Sequence, residues 1–196
     1  MSKLTELVIA TGNEGKLAEF ENLLLPLGIS VFSKRDYPHL PDPEENGSTL
    51  EENALIKAKA TFEHTGKIAL ADDTGLEVDA LNGKPGIHSA RYSDPDATPE
   101  KNIVKLLAEM ATQTRRTARF STVLVLYPFE GGHLTFQGVC EGQIIGKRRG
   151  NEGFGYDPVF MPDGYQETFA EMSKSLKNEI SHRGKAIQEF SKWLNG

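Results

Sequence analysis

The sequence predicts an α/β fold on a mixed β-sheet, and three observations carry that prediction. Short apolar stretches of strand character are interspersed with segments whose apolar residues recur at helical spacing. The chain opens as a strand, a glycine-containing loop and a helix. Further on, residues 118–127 and 134–140 flank Pro128-Phe129-Glu130-Gly131-Gly132 and read as a long hairpin, which adds antiparallel strands.

Each element has its own signal. Leu4 to Ala10 reads as the first strand, and Leu17, Phe20, Leu23, Leu24 and Leu27 mark the first helix, ended by Gly28. A second strand is predicted over residues 29–33, and a loop over 36–47, where Pro38, Pro41, Pro43 and Gly47 fall. Ser48 with Glu51, and Thr49 with Glu52, are overlapping capping boxes for a helix reaching about His64, with Gly66 as its stop. Residues 68–71 form a short buried strand, Asp72-Asp73-Thr74-Gly75 follows it, and Leu76, Val78 and Ala80 alternate as the next strand, which puts the acidic pair between two strands. Thr98 caps a helix with Pro99 at its first position and Ile103, Leu106, Leu107 and Met110 on one face. The predicted hairpin follows, residues 139–145 extending its second strand. The last helix turns Ala186, Ile187, Phe190, Trp193 and Leu194 inward.

Composition bounds what such a chain can do. Its 196 residues are 38% hydrophobic and 26% charged, enough to bury about 70% of the unfolded surface in a folded core. That length fits a single, bilobal domain over residues 1–196. The 28 acidic residues outnumber 22 basic ones, for a net charge of −6, which argues against binding to nucleic acid or an anionic membrane. Cys140 is the one cysteine, so no intrachain disulfide or Cys-rich zinc site exists, and a reducing compartment is expected. The longest apolar run, Val123 to Tyr127, is far short of the roughly 20 residues that span a bilayer. A cytoplasmic location is expected.

Several segments can carry chemistry. Thr11-Gly12-Asn13-Glu14-Gly15-Lys16, between strand and helix, offers backbone N–H groups, a helix N-terminus and an ammonium group to a phosphate, although the same pattern also makes an ordinary turn. Asp72 and Asp73 present carboxylates at a strand end, hard ligands suited to Mg²⁺, or caps of a turn. Glu52 and Lys57 lie five positions apart, about 140° around their helix, and Asn53 shares the Lys57 face. Gly150 to Asp157 sets Phe154 and Tyr156 among glycines, where a flat ligand can approach the backbone. Lys177, His182 and Arg183 add donors just before the last helix.

Taken in order, Thr11-Gly12-Asn13 with Lys16, Glu52-Asn53-Ala54 with Lys57, Ala71-Asp72-Asp73-Thr74-Gly75, Pro85-Gly86 with Ser89-Ala90-Arg91-Tyr92, Gly153 to Pro158, and Ser181-His182-Arg183-Gly184 resemble the inosine triphosphate pyrophosphatase family. The resemblance covers nearly the whole chain. It implies an elongated mixed sheet with flanking helices forming two lobes around a central cleft. It also implies a homodimer and Mg²⁺-dependent hydrolysis of nucleoside triphosphates, those of deaminated purines above all, to monophosphate and pyrophosphate. Carried onto this chain, the resemblance has Thr11, Gly12, Asn13, Glu14, Gly15 and Lys16 hold the phosphates. Asp73 becomes the catalytic acid and a metal ligand, and Glu52 a second metal ligand. Thr74, Phe154, Gly155, Tyr156, Asp157, Lys177, His182 and Arg183 contact the nucleotide.

Attack at the α-phosphate needs an activated water, a divalent metal and cations for the leaving group. Asp73 is expected to activate the water, and Lys16 and Lys57 to neutralise the pyrophosphate. Asp72 is either a second metal ligand or a structural cap. Two rivals remain: a related house-cleaning pyrophosphatase for other modified nucleotides, and a nucleotide sensor that would not need Asp73, Glu52 and Lys57 together.

Overall fold

The structure, a computed structural model, describes residues 4–196; the first three residues of the expected 1–196 domain lie outside them. In chain order the elements are β1 (Glu6–Ile9), α1 (Glu14–Leu24), β2 (Ser30–Phe32), α2 (Leu50–Thr65), β3 (Ala69–Val78), β4 (Pro85–Gly86), α3 (Pro99–Glu109), β5 (Thr117–Phe129), β6 (Gly132–Ile144), β7 (Phe160–Pro162), α4 (Lys174–Ile180) and α5 (His182–Asn195). The strand order is β2-β1-β3-β5-β6-β7, with β4 also on β3. β1 pairs in parallel with β2 and β3, while the β3·β4 and β6·β7 pairs are antiparallel. The predicted mixed α/β fold is borne out. Among the described residues no helix is long and apolar enough to cross a membrane.

The helix signals act where the sequence put them. Thr49 accepts from Glu52 N at 3.1 Å to start α2, which stops at Gly66 in the left-handed region; of the two overlapping capping boxes, the structure uses the second. Thr98 caps α3 by accepting from Lys101 N at 3.2 Å. The β5–β6 hairpin turns on two residues, Glu130 (φ 45°) and Gly131 (φ 81°), the conformation whose twist matches the flanking strands.

Two elements differ from expectation. Asp72 to Gly75 is not a turn but the middle of a ten-residue strand. The turn chemistry of Asp-Asp-Thr-Gly is overridden because β3 has ladder partners on both sides of it, Ala69 and Leu70 with β1, then Leu76 and Glu77 with β4. The hairpin's second arm, by contrast, runs on through its expected extension as one strand, β6, as the sequence predicts. The seven-residue α4, capped by Ser173, carries too few apolar residues to announce itself by periodicity.

The described residues form two compact units. The first comprises the chain up to Asp73 with Thr122–Gly138 and Arg183–Gly196. Here side-chain alternation sorts the sheet: Leu7 and Ile9 of β1, Leu70 of β3 and Leu124 and Leu126 of β5 pack with Leu17, Phe20 and Leu24 of α1 and Ala186, Ile187 and Phe190 of α5. Residues of the other parity, Ala69, Ala71, Val123 and Val125, pack with Ala54 and Ala58 of α2. The second unit, Thr74–Ser121 with Val139–His182, has its own core, in which Phe120, Phe160 and Phe169 lie with ring centroids 4.8 to 6.1 Å apart.

Candidate active site

In the first unit, β1 ends at the Thr11–Lys16 loop and α1 begins. Thr11 Oγ1 accepts from Asn13 N at 3.1 Å, and Asn13 Oδ1 caps the helix by accepting from Lys16 N at 3.0 Å. Glu14 and Gly15 N–H, in the first turn, have no intrahelical acceptor and stand as donors at the positive end of the helix dipole. The predicted phosphate loop thus has the geometry of an anion site.

Sheet alternation decides where the two aspartates go. Asp72 follows Leu70 in parity and emerges on the α1 and α5 face, where Lys16 Nζ lies 3.0 Å and Arg183 Nη2 2.7 Å from Oδ2. Arg183, fully buried, also pairs with Glu19 of α1. Burial alone would raise the Asp72 pKa, but Lys16, Arg183 and Lys57 overcome it and hold the carboxyl well below the usual range. Lys16 is lowered, first by burial and then by the charges of Lys57 and Arg183, against the pull of Asp72 and Asp73.

Asp73, one residue on, emerges on the α2 face. Asn53 Nδ2 donates to Oδ2 at 3.3 Å and Lys57 Nζ to Oδ1 at 3.2 Å. Lys57 also meets Glu45 at 3.2 Å. Burial raises the Asp73 pKa, Glu45 and Asp72 add to the rise, and Lys57 and Lys16 only partly cancel it. Lys57 is raised in turn: burial would lower it, but Asp73, Asp72 and Glu45 prevail. Asn53 Oδ1 accepts from Gly47 N at 2.8 Å, which ties the loop carrying Glu45 to α2.

The second unit holds the other predicted group. Asp157 is buried, and its Oδ2 accepts from Phe154 N at 2.8 Å and from Lys177 Nζ of α4 at 2.7 Å. Lys177 lies over the Phe154 ring, 4.8 Å from its centroid, within cation–π range. Gly153 has φ 75° and a Cβ there would lie 2.1 Å from Asp157 Oδ2, so only glycine lets Asp157 reach in. Tyr156 donates its hydroxyl to Ser89 O at 2.9 Å, a bond that anchors the loop. His182 is buried and stacks on Phe120 at 4.6 Å. Gly155, next to Phe154, has φ 56°, and Thr74 is half-buried on β3.

Of the residues singled out in the sequence, the structure therefore brings Lys16, Arg183 and Asp72 together, Lys57 with Asp73, and Phe154, Asp157 and Lys177. Glu52, expected beside Asp73, instead accepts at Oε2 from Ser48 N (2.6 Å) and Ser48 Oγ (2.7 Å). Glu45 and Glu19 escaped sequence reasoning: both lie outside any motif, and only the fold brings them to Lys57 and Arg183. Among the described residues no three His, Cys, Asp or Glu side chains gather into a ready metal site. The donor set suits Mg²⁺, which takes one or two carboxylates and fills its other positions with water and phosphate.

Comparison with known proteins places nearly the whole chain. The Ham1 family model matches residues 7–193. A dITP/XTP pyrophosphatase of Halalkalibacterium halodurans is 45% identical over 194 residues, 98% of this chain and 100% of that protein. One from Desulforamulus reducens is 46% identical over 192 residues, 97% and 96% of the two chains. The structure of a HAM1 protein from Coxiella burnetii is 42% identical, with TM-score 0.87, covering 98% of this chain and 99% of that one. The Staphylococcus aureus Ham1 protein gives 40% identity and TM-score 0.85 over 97% and 98%. The resemblance read from the sequence motifs is borne out, and the chain belongs to the Ham1 family.

Proposed function

We propose that the protein hydrolyses the triphosphates of non-standard purines, ITP, dITP and XTP, to the nucleoside monophosphate and pyrophosphate. The observation that carries this reading is the Asp73 environment: a carboxylate with a raised pKa held by Asn53 and Lys57, in the same unit as an anion-binding loop. Relatives 45% and 46% identical over nearly the full chain bear the name dITP/XTP pyrophosphatase, which supports the substrate class.

In this reading Asp73 takes the proton of the water that attacks the α-phosphate, and its raised pKa makes it the better base. Thr11 to Lys16 hold the phosphates, and Lys16 and Lys57 meet the charge that develops on pyrophosphate. Mg²⁺ would be held by Asp73 with a glutamate. Glu45 is favoured because it shares Lys57 with Asp73, whereas Glu52 has Oε2 engaged at Ser48. When bound, the metal would screen the phosphate charges and polarise them for attack.

The second unit supplies base recognition. Phe154 offers a stacking face, while Lys177 and His182 are donors for the C6 oxygen that hypoxanthine and xanthine carry and adenine lacks. Asp157 orients Lys177 for that contact. A homodimeric state and a cytoplasmic location belong to the same reading.

Incubation with ITP and Mg²⁺, followed by ³¹P NMR, tests it: IMP and pyrophosphate should appear without IDP. IDP and orthophosphate as first products would overturn it. Selectivity is expected to favour ITP, dITP and XTP over ATP and GTP by at least about 10² in kcat/KM, within reach of sites built on hydrogen bonds; guanine keeps the C6 oxygen, so its rejection must come from a backbone carbonyl or a steric wall facing its 2-amino group.

A further inference from the structure

β1 and β2 are parallel, with Leu7 opposite Val31 and Val8 opposite Phe32, so their C-terminal ends lie side by side. The loop after β1 is the phosphate loop. A tight turn follows β2: Asp36 N and Tyr37 N donate to Ser33 O, Ser33 N donates to Asp36 Oδ2 at 2.8 Å, and Arg35 N donates to Ser33 Oγ at 3.2 Å. That turn holds two cations beside the phosphate loop. Arg35 pairs with Glu14, the loop's own carboxylate, and with Glu21, so the charge of Glu14 is masked. A methyl group on Gly12 would lie 3.5 Å from Lys34 Nζ and 3.9 Å from Asp42 Oδ2, which places the Lys34–Asp42 pair over the loop backbone, the ammonium nearer.

We propose that Lys34 is a further phosphate-binding residue, which exchanges its partner Asp42 for an outer phosphate oxygen when the triphosphate binds. The proposal rests on the reading of Thr11 to Lys16 as the phosphate site. Its particular support is the contrast among the available cations. Lys16 keeps buried Asp72 as a partner, and Lys57 keeps Asp73 and Glu45, so each meets phosphate with its charge partly offset. Lys34 is paired at 3.3 Å with Asp42, whose side chain is 80% exposed. An exposed ion pair contributes little and is readily exchanged, while a phosphate oxygen beside an ammonium forms a charge-assisted bond of the stronger kind. Asp42 then acts as a competitor that keeps Lys34 over the loop in the free protein.

This assigns opposite signs to the two partners. Lys34→Gln should weaken pyrophosphate binding, measured by titration calorimetry in Mg²⁺ buffer, by about tenfold, and raise KM for ITP by a similar factor. Lys34→Arg, which keeps the charge, should stay within a few-fold of the parent. Asp42→Asn should tighten pyrophosphate by about twofold or more, because phosphate no longer has to displace a carboxylate. If both Lys34→Gln and Asp42→Asn weaken binding, the pair is a structural tie and the proposal is overturned; Lys34→Gln within twofold of the parent overturns it as well. Should Lys34→Gln fail to fold, the direction of the Asp42→Asn shift decides. A parent that does not convert ITP to IMP and pyrophosphate would sink the proposed function, while the pyrophosphate titrations would still judge Lys34.

Discussion

Asp72 and Asp73 are neighbours on one strand, buried in the same protein, and they end in opposite electrostatic states. The α1 and α5 face surrounds Asp72 with Lys16 and Arg183 and drives its pKa down. The α2 face gives Asp73 the Lys57 ammonium, an amide and the repulsion of Glu45, and its pKa rises. The strand's period of two makes this possible without any change of backbone: consecutive carboxylates are handed to different helices. The pairing teaches a division of labour. A carboxylate saturated by cations is a strut, committed to holding Lys16 and Arg183, whereas one whose charge is poorly compensated is available to a proton or a metal. Two acidic groups pushed apart in pKa are the pattern expected where one of them does chemistry.

The sharpest way to break the comparison is Asp73→Asn. Removal of a general base costs roughly 10² to 10⁴ in rate, so kcat for ITP should fall by that much. Stability should hold or rise slightly. For an acid raised in the folded state, folding is favoured less as pH climbs past its unfolded value, so at neutral pH the charge is a net burden that Asn removes. If Asp73→Asn keeps activity within a few-fold of the parent, the two roles are misassigned.

Asp72→Asn should do the reverse. It leaves Lys16 and Arg183 short of a carboxylate in the interior, and breaking a buried pair costs about 3–5 kcal/mol, read as a lower urea midpoint at pH 7. The pH dependence follows from the depressed pKa: the stabilisation is fully present above the ordinary aspartate value near 4 and is lost as pH falls below it. The gap between parent and variant should therefore narrow in acid. A gap that stays constant down to pH 3 would mean that shape, not charge, holds Asp72 in place.

A smaller effect sharpens the Asp73 side. In metal-free protein, the Asp73 side-chain carboxyl followed by ¹³C NMR should titrate above the ordinary aspartate value. Glu45→Gln should move that titration downward, because Glu45 is one of the charges that raise it. An upward shift would show that Glu45 acts chiefly by holding Lys57 against Asp73, so that its loss weakens the pull of the ammonium.

Much of this contrast was legible in the sequence, and some of it was not, for physical reasons. Caps are local chemistry, so Thr49, Thr98 and Gly66 announced α2 and α3 with near-correct ends. Amphipathic spacing identified α1 and α5. The phosphate loop, Lys57, Asp73, Phe154, Asp157 and Lys177 were marked by motif. The Asp72-Asp73 segment misled because its residues favour turns in isolation, and only pairing with β1 and β4 extends it. Glu19, Glu45 and Lys34 carry no local signature at all. Glu19 meets Arg183 across 164 positions of chain, a contact that only the packing of α1 against α5 creates.

The two glutamates beside α2 offer the finest test. Glu52 lies in the motif, yet its carboxylate caps the start of the helix and is held below the usual range by hydrogen bonds from Ser48. Glu45 lies in a loop without any motif, yet it acts on both Lys57 and Asp73. Substitution by glutamine separates the roles, since in Glu52→Gln the new amide oxygen can still accept from Ser48 while the charge is gone. Glu52→Gln should leave the Mg²⁺ concentration for half-maximal ITP hydrolysis within a few-fold of the parent. Its thermal stability should stay close to that of the parent, since the amide oxygen keeps the bond to Ser48. Glu45→Gln should raise the Mg²⁺ requirement by about tenfold or more, the scale for losing a group that holds or orients a metal. If the larger rise belongs to Glu52→Gln, the cap seen at Ser48 opens when the metal binds, and Glu52 joins Asp73 as the sequence motif implies.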